Sequence, residues 1–88
     1  MNFIYDDRKN LILLRERKIS FETIIDAVKK DVLDIFENPN HPNQKLIIVD
    51  IDNYAWVVPC KILKNKISLI TAYPSRKYTK KYLGGKDE

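Results

Sequence analysis

The rhythm of apolar positions changes twice along the chain, dividing it into a helical first third, a β-rich middle and a short helical end. Asn2-Phe3-Ile4-Tyr5 alternates weakly between polar and apolar residues, as a short strand does, before Asp6 or Asp7 caps a helix. That helix is expected to run to about Lys18, with Leu11, Ile12 and Leu14 inward and Arg8, Lys9, Arg15 and Arg17 solvated. Basic residues in its last turn suit the negative end of the helix dipole. A second helix is expected after Ser20, a good N-cap, with Ile19 placed to pack on Ile24 as a hydrophobic staple. Phe21, Ile24, Ile25 and Val28 then recur at the spacing of one helical face. Val32, Ile35 and Phe36 fit either a continuation of that stripe or a strand; a strand from Leu33 to Glu37 is the preferred reading.

Asn38-Pro39-Asn40-His41-Pro42-Asn43 is a loop on turn chemistry alone. Three strands are expected beyond it, Lys45 to Ile51, Tyr54 to Leu63 and Lys66 to Tyr73, joined by tight turns at Asp52-Asn53 and Lys64-Asn65. Asp-Asn tolerates the positive φ that a two-residue hairpin turn requires. Pro59 cannot donate to a ladder and is expected at an edge, a bulge or a bend. Pro74-Ser75 opens a last helix, Arg76 to Leu83, with Gly84 as its C-cap and residues 85–88 as a frayed tail. The fold class expected is α+β in one domain over residues 1–88: a short N-terminal strand, two helices, an antiparallel sheet of about four strands, and a C-terminal helix.

Length supports that organisation, because 88 residues leave no room for a second domain. Such a chain buries roughly 60–65% of its unfolded surface, so its stability is modest and a tight partner would add to it. The longest apolar run is four residues, too short to span a bilayer, and the N-terminus lacks the layout of a secretion signal. A cytoplasmic protein without membrane contact is expected. A single cysteine, Cys60, excludes an intrachain disulfide and a cysteine-rich zinc site; it reads as a buried strand residue.

Charge changes the picture more than composition does. The net charge is +4, and the segment from Lys61 to Tyr82 holds Lys61, Lys64, Lys66, Arg76, Lys77, Lys80 and Lys81 with no acid among them. Within the last helix Arg76 and Lys80 are four apart, as are Lys77 and Lys81. Each like-charge pair costs roughly 0.2–0.5 kcal/mol in an isolated helix, a repulsion that a bound anion would relieve. Free backbone N–H groups at the helix start, the Ser75 hydroxyl and Arg76 together suggest a phosphate-sized site. Tyr78 and Tyr82 share a face and are expected to dock the helix on the sheet, whereas Tyr73 is the better candidate for contacting a nucleotide. Lys61, Lys64 and Lys66 read equally well as RNA contacts or as a solvated turn.

Other constellations are thinner. Asp50 and Asp52 could hold a divalent metal, but no further carboxylate completes a site and they read better as shaping the hairpin turn. His41 is the only histidine, so RNA cleavage by a histidine acid–base pair is excluded. No Walker loop, nucleophile elbow or zinc spacing is present, and no cofactor or metal is expected.

Several motifs in order carry a family resemblance. Phe3-Ile4-Tyr5-Asp6 with Lys9, Ile19-Ser20-Phe21-Glu22, the loop Asn38-Pro39-Asn40-His41 followed by Lys45, and Ser75-Arg76-Lys77 with Thr79 and Tyr82 resemble the pattern of BrnT-type toxins of bacterial type II toxin–antitoxin pairs. The chain departs from that pattern at Arg17-Lys18, Pro74 and Tyr78. The resemblance implies a RelE-like fold and an endoribonuclease that blocks translation by cutting RNA, including ribosome-associated mRNA. It also implies a DNA-binding cognate antitoxin as partner, with operator DNA met only through that antitoxin.

The function expected is metal-independent RNA cleavage by attack of a 2′-hydroxyl on the adjacent phosphate. Such chemistry needs a cation on the developing phosphorane, a base near the 2′-hydroxyl and an acid for the leaving oxygen. Arg76 is the candidate for the charge; Ser75, Lys77, Lys80, Lys81 and Lys61 are candidates for holding phosphates; His41, Lys45 and Tyr73 are candidates for base and acid. The alternative is a non-catalytic module that grips nucleic acid or an acidic partner protein with the same helix. A metal-dependent nuclease using Asp50 and Asp52 is a third reading.

Overall fold

Among the described residues three helices and six strands follow one another in the order β1 (Asn2–Ile4), α1 (Asp7–Arg17), α2 (Phe21–Lys30), β2 (Val32–Glu37), β3 (Lys45–Ile51), β4 (Tyr54–Ile62), β5 (Lys66–Leu69), β6 (Tyr73–Pro74) and α3 (Arg76–Leu83). The computed structural model describes residues 2–84; the tail expected over residues 85–88 lies outside the described residues. No helix among the described residues is long and apolar enough to cross a membrane.

Local signals set most of these elements. Asp6 caps α1 by accepting the Arg8 amide at 2.8 Å, and Ser20 caps α2 by accepting the Thr23 amide at 3.2 Å. Ile19 and Ile24 are both buried in the same cluster, as a staple requires. Asp52 and Asn53 adopt φ of 54° and 66°, the paired positive values of a type I′ turn, and they join β3 to β4. The Asn38–Gln44 loop closes on itself: the buried Asn38 side chain accepts the Asn40 amide and donates to Gln44 Oε1.

The sheet runs β1-β5-β4-β3-β2, with β6 also pairing on β4. Two corrections follow. The sheet has six strands and is mixed, because β1 lies parallel to β5 with Asn2 opposite Lys66 and Ile4 opposite Ser68. The strand expected from Lys66 to Tyr73 is instead two pieces, β5 and β6, which pair with different stretches of β4. Pro59 occupies the gap between those stretches. Its carbonyl accepts the Ile70 amide on the β5 side, so its missing N–H faces the place where the neighbouring chain departs. A central strand thereby accommodates proline.

Side chains alternate across the sheet and build two cores. One face presents Ile47, Val49, Val58, Cys60, Ile67 and Leu69 to α1 and α2; the other presents Leu46, Ile48, Ala55 and Val57 to α3. Phe21 stacks on Tyr5 with centroids 4.8 Å apart, and its amide donates to Asn10 Oδ1 at 2.8 Å, which binds α2 to α1. The inward set expected for α1 is wrong in its members: Leu13 is the buried residue, at 4% exposure, whereas Leu11, Ile12 and Leu14 are exposed. Four consecutive apolar residues at about 100° per step wrap most of the helix circumference, so periodicity could not select among them.

Candidate nucleic-acid interface

Helix α3 is held to the sheet by one polar anchor and an aromatic row. Thr79 Oγ1 accepts the buried Ala55 amide at 2.8 Å and donates to the Ser75 carbonyl at 2.7 Å, while the Ser75 amide donates to the Ala55 carbonyl at 2.9 Å. The first turn of α3 is thus stitched to β4. Tyr78 lies 5.9 Å from the Phe36 ring and 6.0 Å from Tyr82, and both tyrosines pack with Leu83 on the second core. These tyrosines dock the helix, as the alternation of cations and aromatics suggests. The Tyr82 phenol then donates to the Asp34 carboxylate on β2.

With Tyr78, Thr79, Tyr82 and Leu83 against the sheet, the 100° step of a helix places Arg76, Lys77, Lys80 and Lys81 together on the outward half. Lys77 Nζ sits 5.2 Å from the Tyr78 ring centroid and Lys81 Nζ 5.3 Å from that of Tyr82, so two of the four cations lean on the docking aromatics. Arg76 begins the helix, where the positive end of the dipole adds to its charge. The Ser75 Oγ accepts the Tyr78 amide at 3.1 Å and caps its own helix, which leaves its O–H as a donor.

Absence of acid along the chain does not mean absence in space. Asp34 comes from β2 to the end of α3, and its carboxyl is held below the usual value chiefly by the Tyr82 phenol, then by the Ile35 amide, with a smaller contribution from Lys81. Only three-dimensional pairing reveals this neighbour, because Asp34 lies far from α3 in the sequence.

Register places the remaining candidates. Tyr73 is opposite Val57 and therefore shares the face that carries α3, as does Lys61, opposite Ser68 and odd-numbered with Ala55 and Val57 on β4. Lys45 is opposite Cys60, on the face that carries α1 and α2, and its ammonium pairs with Glu37 at 2.6 Å. His41 is exposed in the β2–β3 loop. The structure thus gathers Arg76, Tyr73, Lys77, Lys80, Lys81 and Lys61 on one face of the sheet and leaves Lys45 on the other.

Asp50 and Asp52 sit in different settings. Asp52 forms the hairpin turn, and Asp50 lies within β3, with Oδ1 buried and accepting no hydrogen bond. Among the described residues no group of three or more His, Cys, Asp or Glu gathers to hold a metal ion. Cys60 is buried, and desolvation pushes its thiol up to about 11, which keeps it from nucleophilic use.

Compared with known proteins, the chain matches no family model, no curated protein and no solved structure.

Proposed function

We propose that this chain is the RNA-cleaving toxin of a toxin–antitoxin pair, similar to BrnT-type toxins with a RelE-like fold, and that it meets RNA through the outward half of α3. The observation that carries the reading is the segregation of that helix: four cations outward and four docking residues inward, on a support fixed by Thr79 and Ala55. A rigid row of cations tracks a phosphate backbone and releases its counterions. In this reading Arg76 lies on the developing charge of the phosphorane, and Lys77, Lys80, Lys81 and Lys61 hold neighbouring phosphates. Of the three candidates for proton transfer, Tyr73 shares the face of Arg76 and carries that role. The partner is a cognate antitoxin whose acidic residues cover the same cations, in the cytoplasm.

The test is incubation of the purified protein with RNA in EDTA, where cleavage is expected to persist. Cleavage abolished by EDTA and restored by a divalent ion would move the chemistry to Asp50 and Asp52. A second reading, a non-catalytic module binding RNA, DNA or an acidic protein through α3, is favoured by the position of Lys45 on the face opposite that helix. Binding with no product under any condition selects it.

A further inference from the structure

Resting on that RNA reading, a second surface defines where one base goes. A cleft of about 460 Å³ opens where the β3–β4 hairpin, the α1–α2 corner and β6 meet, with Arg17, Lys18, Asp52, Tyr54, Trp56 and Pro74 in its wall. We propose that this cleft seats one unpaired nucleotide of single-stranded RNA, its base against Trp56 and Tyr54 and its phosphate beside Arg17 and Lys18.

Its volume lies within the roughly 300–1,000 Å³ typical of small-ligand sites. Tyr54 and Trp56 are two apart on β4 and so share a face of the sheet. Pro74 stands directly opposite Trp56 and braces it, while Trp56 packs on the core and stays only half-buried. Two aromatic side chains anchored at the base and open at the rim make a stacking platform, which accepts any base because every base has a π-face.

The charges in the wall divide the ligand into two parts. Arg17 and Lys18 end α1, with Lys18 in the left-handed conformation at φ 59°, and neither belongs to the one ion pair found among the described residues. They suit a phosphate. Asp52, across the hairpin turn, would repel a phosphate but accepts hydrogen bonds from the amino or imino groups on the edge of a base. A groove for duplex backbone has no use for that carboxylate, and a stacked, paired base cannot reach it; RNA with its bases splayed out can.

Continuity with α3 gives the cleft its direction. Pro74 lines it, and the next residues are Ser75, the cap, and Arg76, the first cation of the helix. Trp56 packs on the face that carries α1 and α2, opposite α3, so an RNA strand reaches Arg76 from the cleft by passing round the sheet at Pro74.

Trp56 is the only tryptophan, so its emission reports occupancy directly. The probe is a mixed-sequence 2′-O-methyl oligoribonucleotide, which resists cleavage, added to the full chain. Binding is read by anisotropy of a labelled copy and by quenching of Trp56. Both signals are expected to share one midpoint; Tyr54→Ala is expected to weaken binding at least about fivefold, with Tyr54→Phe as the control that retains stacking and affinity. Arg17→Gln, at an exposed position that does not threaten folding, is expected to weaken it several-fold. Anisotropy without quenching, together with unchanged affinity in Arg17→Gln, overturns the cleft and leaves the RNA reading standing. Equal quenching by a fully paired duplex overturns the unpaired-base claim. Absence of any binding overturns the RNA reading itself.

Discussion

The phenol of Tyr82 donates a hydrogen bond to the carboxylate of Asp34, and this contact ties the last turn of α3 to the edge strand β2. It shifts both partners. Asp34 is held below its ordinary 3.8, and Tyr82 is pushed up to about 12, in each case chiefly by the shared hydrogen bond. For Asp34 the folded value is the lower one, so its contribution is present above 3.8 and is lost as pH falls through the folded value. For Tyr82 the folded value is the higher one, so its contribution is present below 10.0 and is lost as pH rises through about 12. Tyr82→Phe is therefore expected to lower the melting temperature between those limits and to converge with the parent chain beyond them. Circular-dichroism melts taken from below pH 3.8 to above pH 12 check this; a constant difference at every pH would refute the linkage.

Thr79 makes a different demand on α3. Replacing it with valine keeps the shape but leaves the buried Ala55 amide without its acceptor. A loss of about 1–3 kcal/mol is expected in urea unfolding, with Thr79→Ser close to the parent. Equal stability of the valine variant would show that Ala55 finds another acceptor.

The orientation of α1 is testable by two leucines. Leu13→Ala should cost about 2–5 kcal/mol, because it opens a void in the core, whereas Leu11→Lys should stay within about 0.5 kcal/mol of the parent. A reversed order of these two effects would place the helix face differently.

RNA binding should report the outward cations one by one. On single-stranded RNA, each of Lys77→Gln and Lys80→Gln is expected to reduce the slope of log affinity against log salt by about 0.7. Arg76→Ala should abolish cleavage and relieve growth arrest on expression, while Lys45→Ala, on the opposite face, should leave cleavage at the parent rate. Persistent toxicity of the Arg76 variant would remove that residue from the chemistry.

What could be read in advance was local. Ser20 capping α2, the Asp52-Asn53 turn, the span of α3 and its αL cap at Gly84 each depend on a few adjacent residues, and each stands where the pattern puts it. The basic outward half of α3 was legible for the same reason. Pairings between distant residues were not. Nothing near Phe3 says that β1 will run parallel beside β5, nothing near Asp34 announces Tyr82, and the cleft draws on three separate stretches of chain. Pro59 misleads because the rule against proline in a central strand assumes continuous partners on both sides, whereas β4 changes partner at that residue. Lys45 was a candidate base or acid, and strand alternation puts it on the face opposite α3.

The parallel pairing of β1 with β5 also imposes an order of assembly. β1 and β5 are separated in the chain by both hairpins of the central sheet, β2–β3 and β3–β4, which close quickly because their contacts are local. The match of Asn2 with Lys66 spans most of the sheet's sequence and forms after those local contacts. The sheet is thus completed by its most distant pairing, and β1 is the strand whose partner is found last.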